Sequence, residues 1–194
     1  PHLLYELIRW IDEVLIPSGM HAMANTLKKS LIKKLENGGQ SGYNLSFSKK
    51  APTPIQPKTD GFELLDVDPV EIARQLSLKE QRLYRAISLR EFLDKRWTKD
   101  QKEISAPGIM AFIKDFNELS FYVSQSIVLQ MNLRKRIRNL EKWVIVAMRL
   151  REQKNFNGTM AVLSGLRTAS VYRLKKTWAG LDSKVMATYE QLCE

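Results

Sequence analysis

The sequence predicts an all-α protein, an irregular orthogonal bundle of many helices preceded by a helical hairpin. Three observations carry that prediction. Apolar residues recur at three- and four-residue steps over most of the 194 residues, the period at which one face of a helix meets a core. Hydroxyl or acidic residues followed three positions later by Glu mark several helix starts. No short stretch alternates apolar and polar side chains as a half-buried strand would.

Residues 1–37 read as the hairpin. Leu3, Leu4, Leu7, Ile8, Ile11, Val14 and Leu15 share one helix face; after Pro17 and Ser18, Met20, Met23, Ala24, Leu27, Leu31 and Leu35 share another. Lysines at 28, 29, 33 and 34 face away, and Gly38–Gly39 is the stop. Such a pair needs a further surface to cover it. Residues 38–60 hold Gly39, Ser41, Gly42, Ser46, Pro52, Pro54 and Pro57, a composition that describes an extended linker. A strap with short extended pieces at Leu45 and Phe47 is the alternative.

From 61 onward helix signals follow closely. Asp68-Pro-Val-Glu71 is a capping box with proline at the first helical position, its acid expected to close back on the Asp68 amide. Ser77-Leu-Lys-Glu80 and Ser88-Leu-Arg-Glu91 repeat the pattern, which predicts three short helices starting near 68, 77 and 88. Ser105 with Pro107 opens a longer helix, with Asn117 as a candidate break. Further helices are expected from Leu133 to about 153, from Thr159 to Leu166 after Asn157-Gly158, near Ser170, and at Asp182.

Composition narrows the chemistry. Lys plus Arg number 31 against 21 Asp plus Glu, a net charge of +10 that favours anionic partners. The lone Cys193 excludes an internal disulfide, and His2 and His21 without cysteine company offer no ordinary zinc site, so no metal or cofactor is expected. Phosphate-cradling loops and zinc-protease motifs are missing, and Ser164 in Val162-Leu-Ser-Gly-Leu166 is not a nucleophile elbow because the first glycine and any nearby histidine are lacking. A hydrolase is therefore not expected. The basic runs Arg134-Lys-Arg136 with Arg138, and Arg173 with Lys175-Lys176, lack the interleaved aromatics of a nucleic-acid platform, so no nucleic-acid partner is expected. Charged residues at 6, 9, 12 and 13 break the first apolar stretch, so no secretory signal is read. No run approaches the ~18 apolar residues of a membrane span. These features predict a soluble, cytoplasmic chain whose charge favours peripheral contact with the anionic inner face of a membrane.

Several strings are more specific than periodicity. Leu64-Leu-Asp-Val-Asp-Pro-Val-Glu-Ile-Ala-Arg-Gln-Leu76 and Leu83-Tyr-Arg-Ala-Ile87 resemble the opening of the catalytic domain of Ras-family guanine-nucleotide exchange factors. Trp97-Thr-Lys99, Phe116-Asn-Glu-Leu119 with Val123, Asn155-Phe-Asn-Gly158 and Arg173-Leu-Lys-Lys-Thr-Trp178 follow in the family's order, so the resemblance covers residues 62–181. Residues 2–37 stand where such proteins carry the helical Ras exchanger motif, of which only the closing part would fit.

The resemblance implies a non-covalent catalyst. Such factors grip switch II of a small GTPase, lever switch I from the nucleotide and release GDP by stabilising the nucleotide-free state. Nucleotide and Mg²⁺ belong to the GTPase. Carried onto this sequence, Phe112, Ile113, Lys114 and Asn117 on one helix, and Met160, Leu163, Leu166 and Arg167 on another, would face switch II. Ile113, Met160 and Leu166 would form an apolar patch for a switch II aromatic, Lys114 would pair with an acid, and Trp97 would lie near the same surface. Two departures bear on partner choice: Arg167 stands where Ras-directed relatives often have Asn, and Phe112 replaces an aliphatic residue. Ras, Rap and Ral types all stay open.

The family domain continues well past the Arg-Leu-Lys-Lys-Thr-Trp segment to a helical hairpin that acts as the switch I wedge. The resemblance therefore implies a C-terminally truncated domain over 61–194, which docks weakly without accelerating release and is marginally stable. A GTPase-binding scaffold without exchange activity is one alternative. A basic nucleic-acid or membrane-surface protein is the other.

Overall fold

The computed structural model describes residues 2–36, 52–55, 57 and 63–194, with the backbone alone for 2–4 and 34–35. Among the described residues every regular element is helical. The chain divides into two compact units, Pro1–Pro52 and Thr53–Glu194. No helix among the described residues is long and apolar enough to cross a membrane.

In the first unit α1 (His2–Trp10) runs on into one wider turn, Ile11–Leu15, before α2 (His21–Glu36). The reversal uses Gly19 at φ 81°, a left-handed conformation that glycine adopts without steric cost. Ile11, Leu15 and Ala24 are buried at the crossing, with Ile16 and Leu31 packed on them. Lys28 Nζ reaches both carboxylate oxygens of Asp12 at 2.7 and 2.8 Å, which ties the second helix to the wider turn.

Most of the expected linker, including Leu45 and Phe47, lies outside the described residues. Its described C-terminal part is tethered: Ile55 N donates to Glu71 Oε1 at 3.1 Å, and Arg74 Nη2 donates to Thr53 O at 3.0 Å. Glu71 therefore does not close back on the Asp68 amide as the capping-box pattern predicted. Burial pushes its carboxyl up, but hydrogen bonds from Gln75, Arg74 and the Ile55 amide outweigh that and hold it below its ordinary value. Asp68 itself does cap, accepting from Val70 N at 2.7 Å ahead of Pro69.

The second unit starts with a one-turn 3₁₀ segment, Leu64–Asp66, and α3 (Pro69–Ala86). The predicted helix start at Ser77 is corrected by this element, because 69–86 is one continuous helix. Ser77 sits inside it, and its hydroxyl donates to Gln153 Oε1 at 2.8 Å. A kinked 3₁₀ segment, Leu89–Thr98, and the single turn α4 (Lys102–Ser105) lead into α5 (Pro107–Val128). Asn117 does not divide α5, since it lies on the exposed side, where its amide costs no packing.

Then come α6 (Leu133–Glu152), α7 (Phe156–Leu166), the short turns α8 (Ala169–Tyr172) and α9 (Lys175–Trp178), and α10 (Ser183–Cys193). Helix α7 lies between α5 and α6, α3 crosses both of these, and α10 packs on α6. The core is built from Val123 and Ile127 of α5, Leu140, Trp143, Val144 and Leu150 of α6, and Val162, Leu163 and Leu166 of α7. Its polar atoms are largely paired. Trp143 Nε1 donates to Ser126 Oγ at 2.8 Å, and the buried Lys142 donates to Leu65 O at 2.7 Å.

Candidate functional site

Two helices matter most here, α5 and α7, and each is started by contacts from α3 or from the segment after it. The buried carboxylate of Glu91 accepts from Ser88 N at 2.9 Å and, through its other oxygen, from Ile109 N at 2.8 Å. One side chain thereby closes the Ser88 capping box and caps the first turn of α5, which the expected Ser105 does not do: its hydroxyl donates back to Gln101 O. Amides donating to the Glu91 carboxylate, that of Ser88 foremost, hold its pKa below the ordinary value against the opposing effect of burial. Asp115, also buried, forms an ion pair with Lys79 that fastens α5 to α3.

The Asn155-Phe-Asn-Gly158 string is the corresponding device for α7. Asn155 Oδ1 accepts from Gly158 N at 2.8 Å as N-cap, while its amide donates to Ser77 Oγ at 3.2 Å. Asn157 Nδ2 donates to the buried Glu80 at 3.2 Å. Burial raises the Glu80 pKa despite hydrogen bonds from Asn157, Asn155 and Gly158. Gly158 leaves room for this cluster, because a Cβ there would stand 2.8 Å from Glu80 Oε1. Farther along, Gly165 lets α7 lie directly on α5: a Cβ at that point would meet Ser120 O at 2.5 Å and Val123 Cβ at 2.8 Å.

So positioned, α4 and α5 border an open groove of about 650 Å³ lined by Glu103, Pro107, Met110, Ile113, Lys114 and Asn117 among others. Its lining is mainly apolar, with Lys114 as its cation and Glu103 and Glu118 as its acids. Ile113 is 39% exposed, and the Lys114 side chain is mostly in solvent, with Glu118 Oε1 3.7 Å away as its only ion-pair neighbour among the described residues. On α7, Met160 is 53% exposed. The groove and Met160 thus lie on two helices that pack closely at Gly165.

Comparison with known proteins gives the chain a family. Residues 71–194 match the RasGEF domain. The chain belongs to the RasGEF family. Ras guanine nucleotide exchange factor E of Dictyostelium discoideum is 47% identical over 143 residues, covering 72% of this chain and 14% of its own length. Ras guanine nucleotide exchange factor A of the same organism is 35% identical over 196 residues, covering 98% of this chain and 32% of its own. Ras-specific guanine nucleotide-releasing factor 2 of mouse is 32% identical over 191 residues, with 98% and 15% covered. This RasGEF chain thus spans less than a third of the length of each.

Within this RasGEF chain the nine residues singled out from the sequence do not form one surface. Ile113, Lys114 and Asn117 share the groove, and Met160 stands exposed on the neighbouring helix. Phe112 turns to the other flank of α5, where its ring meets Tyr84 edge-on at 6.1 Å. Leu163 and Leu166, 2% and 0% exposed, are core residues that offer a partner no side-chain surface in this conformation; of the three residues expected in the apolar patch, Ile113 and Met160 are exposed and Leu166 is not. Arg167 is exposed at the end of α7 and hydrogen-bonds within the molecule, to Cys193 O at 3.4 Å and to Tyr189. Trp97 is half-buried, packed edge-on to Phe92 at 6.0 Å in the kinked segment.

Sequence reasoning missed Glu103, Pro107 and Met110 as parts of the groove. The signal was present. Positions 107, 110, 114 and 117 fall on one helical stripe, but proline at a helix start and methionine in an apolar pattern read equally well as cap and core.

Proposed function

We propose that this RasGEF chain binds a Ras-family small GTPase through α5 and α7 and contributes to guanine-nucleotide exchange. The observation that carries the reading is the exposed set Ile113, Lys114, Asn117 and Met160, held on helices whose crossing is fixed at Gly165. Ile113 and Met160 supply apolar area for a switch II side chain, and Lys114 supplies a cation for a switch II acid. Exchange follows from differential affinity: binding the nucleotide-free GTPase more tightly than the GDP form lowers the cost of losing GDP. No covalent bond is made or broken, and nucleotide and Mg²⁺ stay with the GTPase. The names of the relatives, all Ras exchange or releasing factors, support this class of partner without choosing among Ras, Rap and Ral. In this reading these 194 residues supply the grip on switch II, acting in the cytoplasm.

The test is the affinity of the chain for Ras, Rap and Ral in nucleotide-free and GDP-bound forms, together with release of fluorescent GDP. At least one GTPase is expected to bind more tightly when nucleotide-free. The double variant Lys114→Glu/Met160→Ala is expected to weaken that complex by about tenfold or more, because it reverses one charge and removes one apolar anchor. Unchanged affinity in the double variant would overturn the assignment of the surface. Equal affinity for both nucleotide states, with no acceleration of GDP release, would make the chain a scaffold.

A further inference from the structure

A second exposed surface lies at the other end of α5. The turn joining α5 to α6 presents Val128, Leu129, Met131 and Leu133, which are 38%, 66%, 89% and 39% exposed. Leu129 and Met131 on the connection, flanked by Val128 at the end of α5 and Leu133 at the start of α6, gather four large exposed apolar side chains at one place rather than scattering them singly. The turn is also well ordered by hydrogen bonds. Gln130 N donates to Ile127 O at 3.2 Å, and Gln130 O accepts from Arg136 Nη1 at 3.0 Å. Asn132 N donates to the Gln130 side chain at 3.2 Å, and Asn132 Oδ1 accepts from Lys135 N at 3.1 Å as the cap of α6. These bonds pair part of the turn's polar groups within the protein.

Cations stand directly behind the apolar tip. Arg134 and Arg138 are exposed on the first turns of α6. Arg136 joins the tip to α9 by donating to Thr177 Oγ1 at 2.9 Å as well as to Gln130 O, which places the exposed Lys176 beside the same region. The acids nearby are partly occupied: Glu63 pairs with Lys135 at 3.4 Å, and Glu141 accepts from Asp182 N at 3.2 Å.

We infer that the α5–α6 turn, with Arg134, Arg138 and Lys176 behind it, is a docking point for an anionic lipid surface. The layering is what selects a bilayer. Apolar side chains lead, and long cationic side chains follow within a helical turn or two, which matches acyl chains at depth and charged headgroups above them. A nucleic acid would use the cations but leave the tip exposed to water, and the turn has no aromatic ring on which a base could stack. The inference does not rest on the GTPase reading, because the tip lies about 24 Å along α5 from Ile113.

The test is flotation of the 194-residue chain with vesicles of phosphatidylcholine alone and with about 30% phosphatidylserine, at low and high salt. Binding is expected to the anionic vesicles only and to weaken with salt. Leu129→Ser/Met131→Ser leaves the charge unchanged and is expected to reduce binding about tenfold or more by removing buried apolar area. Arg134→Gln/Arg138→Gln is expected to reduce it by a similar factor, at roughly fivefold per cation. Because all four positions are exposed, melting temperatures should stay at the parent value. As a readout that does not depend on those variants, an environment-sensitive dye at Met131→Cys in a Cys193→Ser chain should shift to the blue on anionic vesicles. Failure of the parent chain to bind would overturn the inference. So would full binding by the Leu129/Met131 variant, a dye that stays in water, or binding to a single-stranded oligonucleotide that matches the lipid binding in strength and ignores the tip substitutions.

Discussion

Replacing Gly165 by alanine is expected to destabilise the second unit by about 2 kcal/mol, although glycine inside a helix ordinarily costs about 1 kcal/mol relative to alanine. The sign reverses because of what the new methyl group would meet. It would stand 2.5 Å from Ser120 O and 2.8 Å from Val123 Cβ. The first of these is backbone of α5 and cannot rotate away, so one helix has to shift. Overpacking of this kind costs about 1–3 kcal/mol. In thermal melts the loss should show as a fall of roughly 6 °C, at about 2–4 °C per kcal/mol for a domain of this size. Ser164→Ala on the same helix, at a half-exposed position, should stay within about 0.5 kcal/mol of the parent. A Gly165→Ala protein that melts at or above the parent temperature would show that the helices do not cross so closely. The same shift would move Met160 relative to Ile113, so GTPase affinity should fall along with stability.

Glu91→Gln is the second substitution with a large expected effect, and it has a distinctive pH dependence. Both carboxylate oxygens accept backbone amides, one from Ser88 and one from Ile109, and the side chain is 5% exposed. An amide side chain can accept at only one of the two points and turns an NH₂ group toward the other, which leaves a buried donor unpaired at a cost of about 1–3 kcal/mol. The expected loss at neutral pH is about 2–3 kcal/mol. The folded-state pKa of Glu91 lies below its ordinary value of 4.5, chiefly through the Ser88 amide. Its stabilisation is therefore fully present above 4.5 and is lost as pH falls through the lowered folded value. Urea unfolding at neutral pH and near pH 3 should show parent and variant far apart in the first case and closer in the second. A gap independent of pH would mean that the carboxylate charge contributes nothing at this cap.

Two identical-looking strings show how far local sequence reaches. Ser88-Leu-Arg-Glu91 closes its capping box as the pattern predicts. Ser77-Leu-Lys-Glu80 has the same form yet lies inside α3. The difference comes from 75 or more residues away. Gln153 and Asn155 take the Ser77 hydroxyl, and Asn157 takes the Glu80 carboxylate, so neither side chain is needed by a local helix end. Asp68-Pro-Val-Glu71 falls between these cases, its first residue capping as expected and its last diverted to the segment at Ile55.

The candidate site divides in the same way. That α5 and α7 are helices, and that Ile113, Lys114 and Met160 belong to segments of RasGEF type, was legible in spacing and in family strings. Which of the nine residues would be exposed was not. Leu163 and Leu166 carry the same apolar signal as Ile113 and Met160, and an apolar residue on a helix reads alike whether it faces a neighbouring helix or a partner protein. The apolar turn at Leu129 and Met131 was passed over for the opposite reason, since two residues between helices have no period from which to be read.

Helical class, the element starts that are capped by near neighbours, and membership of the family were determined by the sequence alone, because each depends on side chains within a few residues of one another or on an ordered set of strings. Only the tertiary structure decided which cap is shared between two helices at Glu91, which glycine permits the α5–α7 crossing, and which apolar residues remain for a partner. Those outcomes depend on backbone and side chains brought together from distant parts of the chain, and a hydrogen bond or a steric contact acts only across a few ångströms of space, whatever the separation along the sequence.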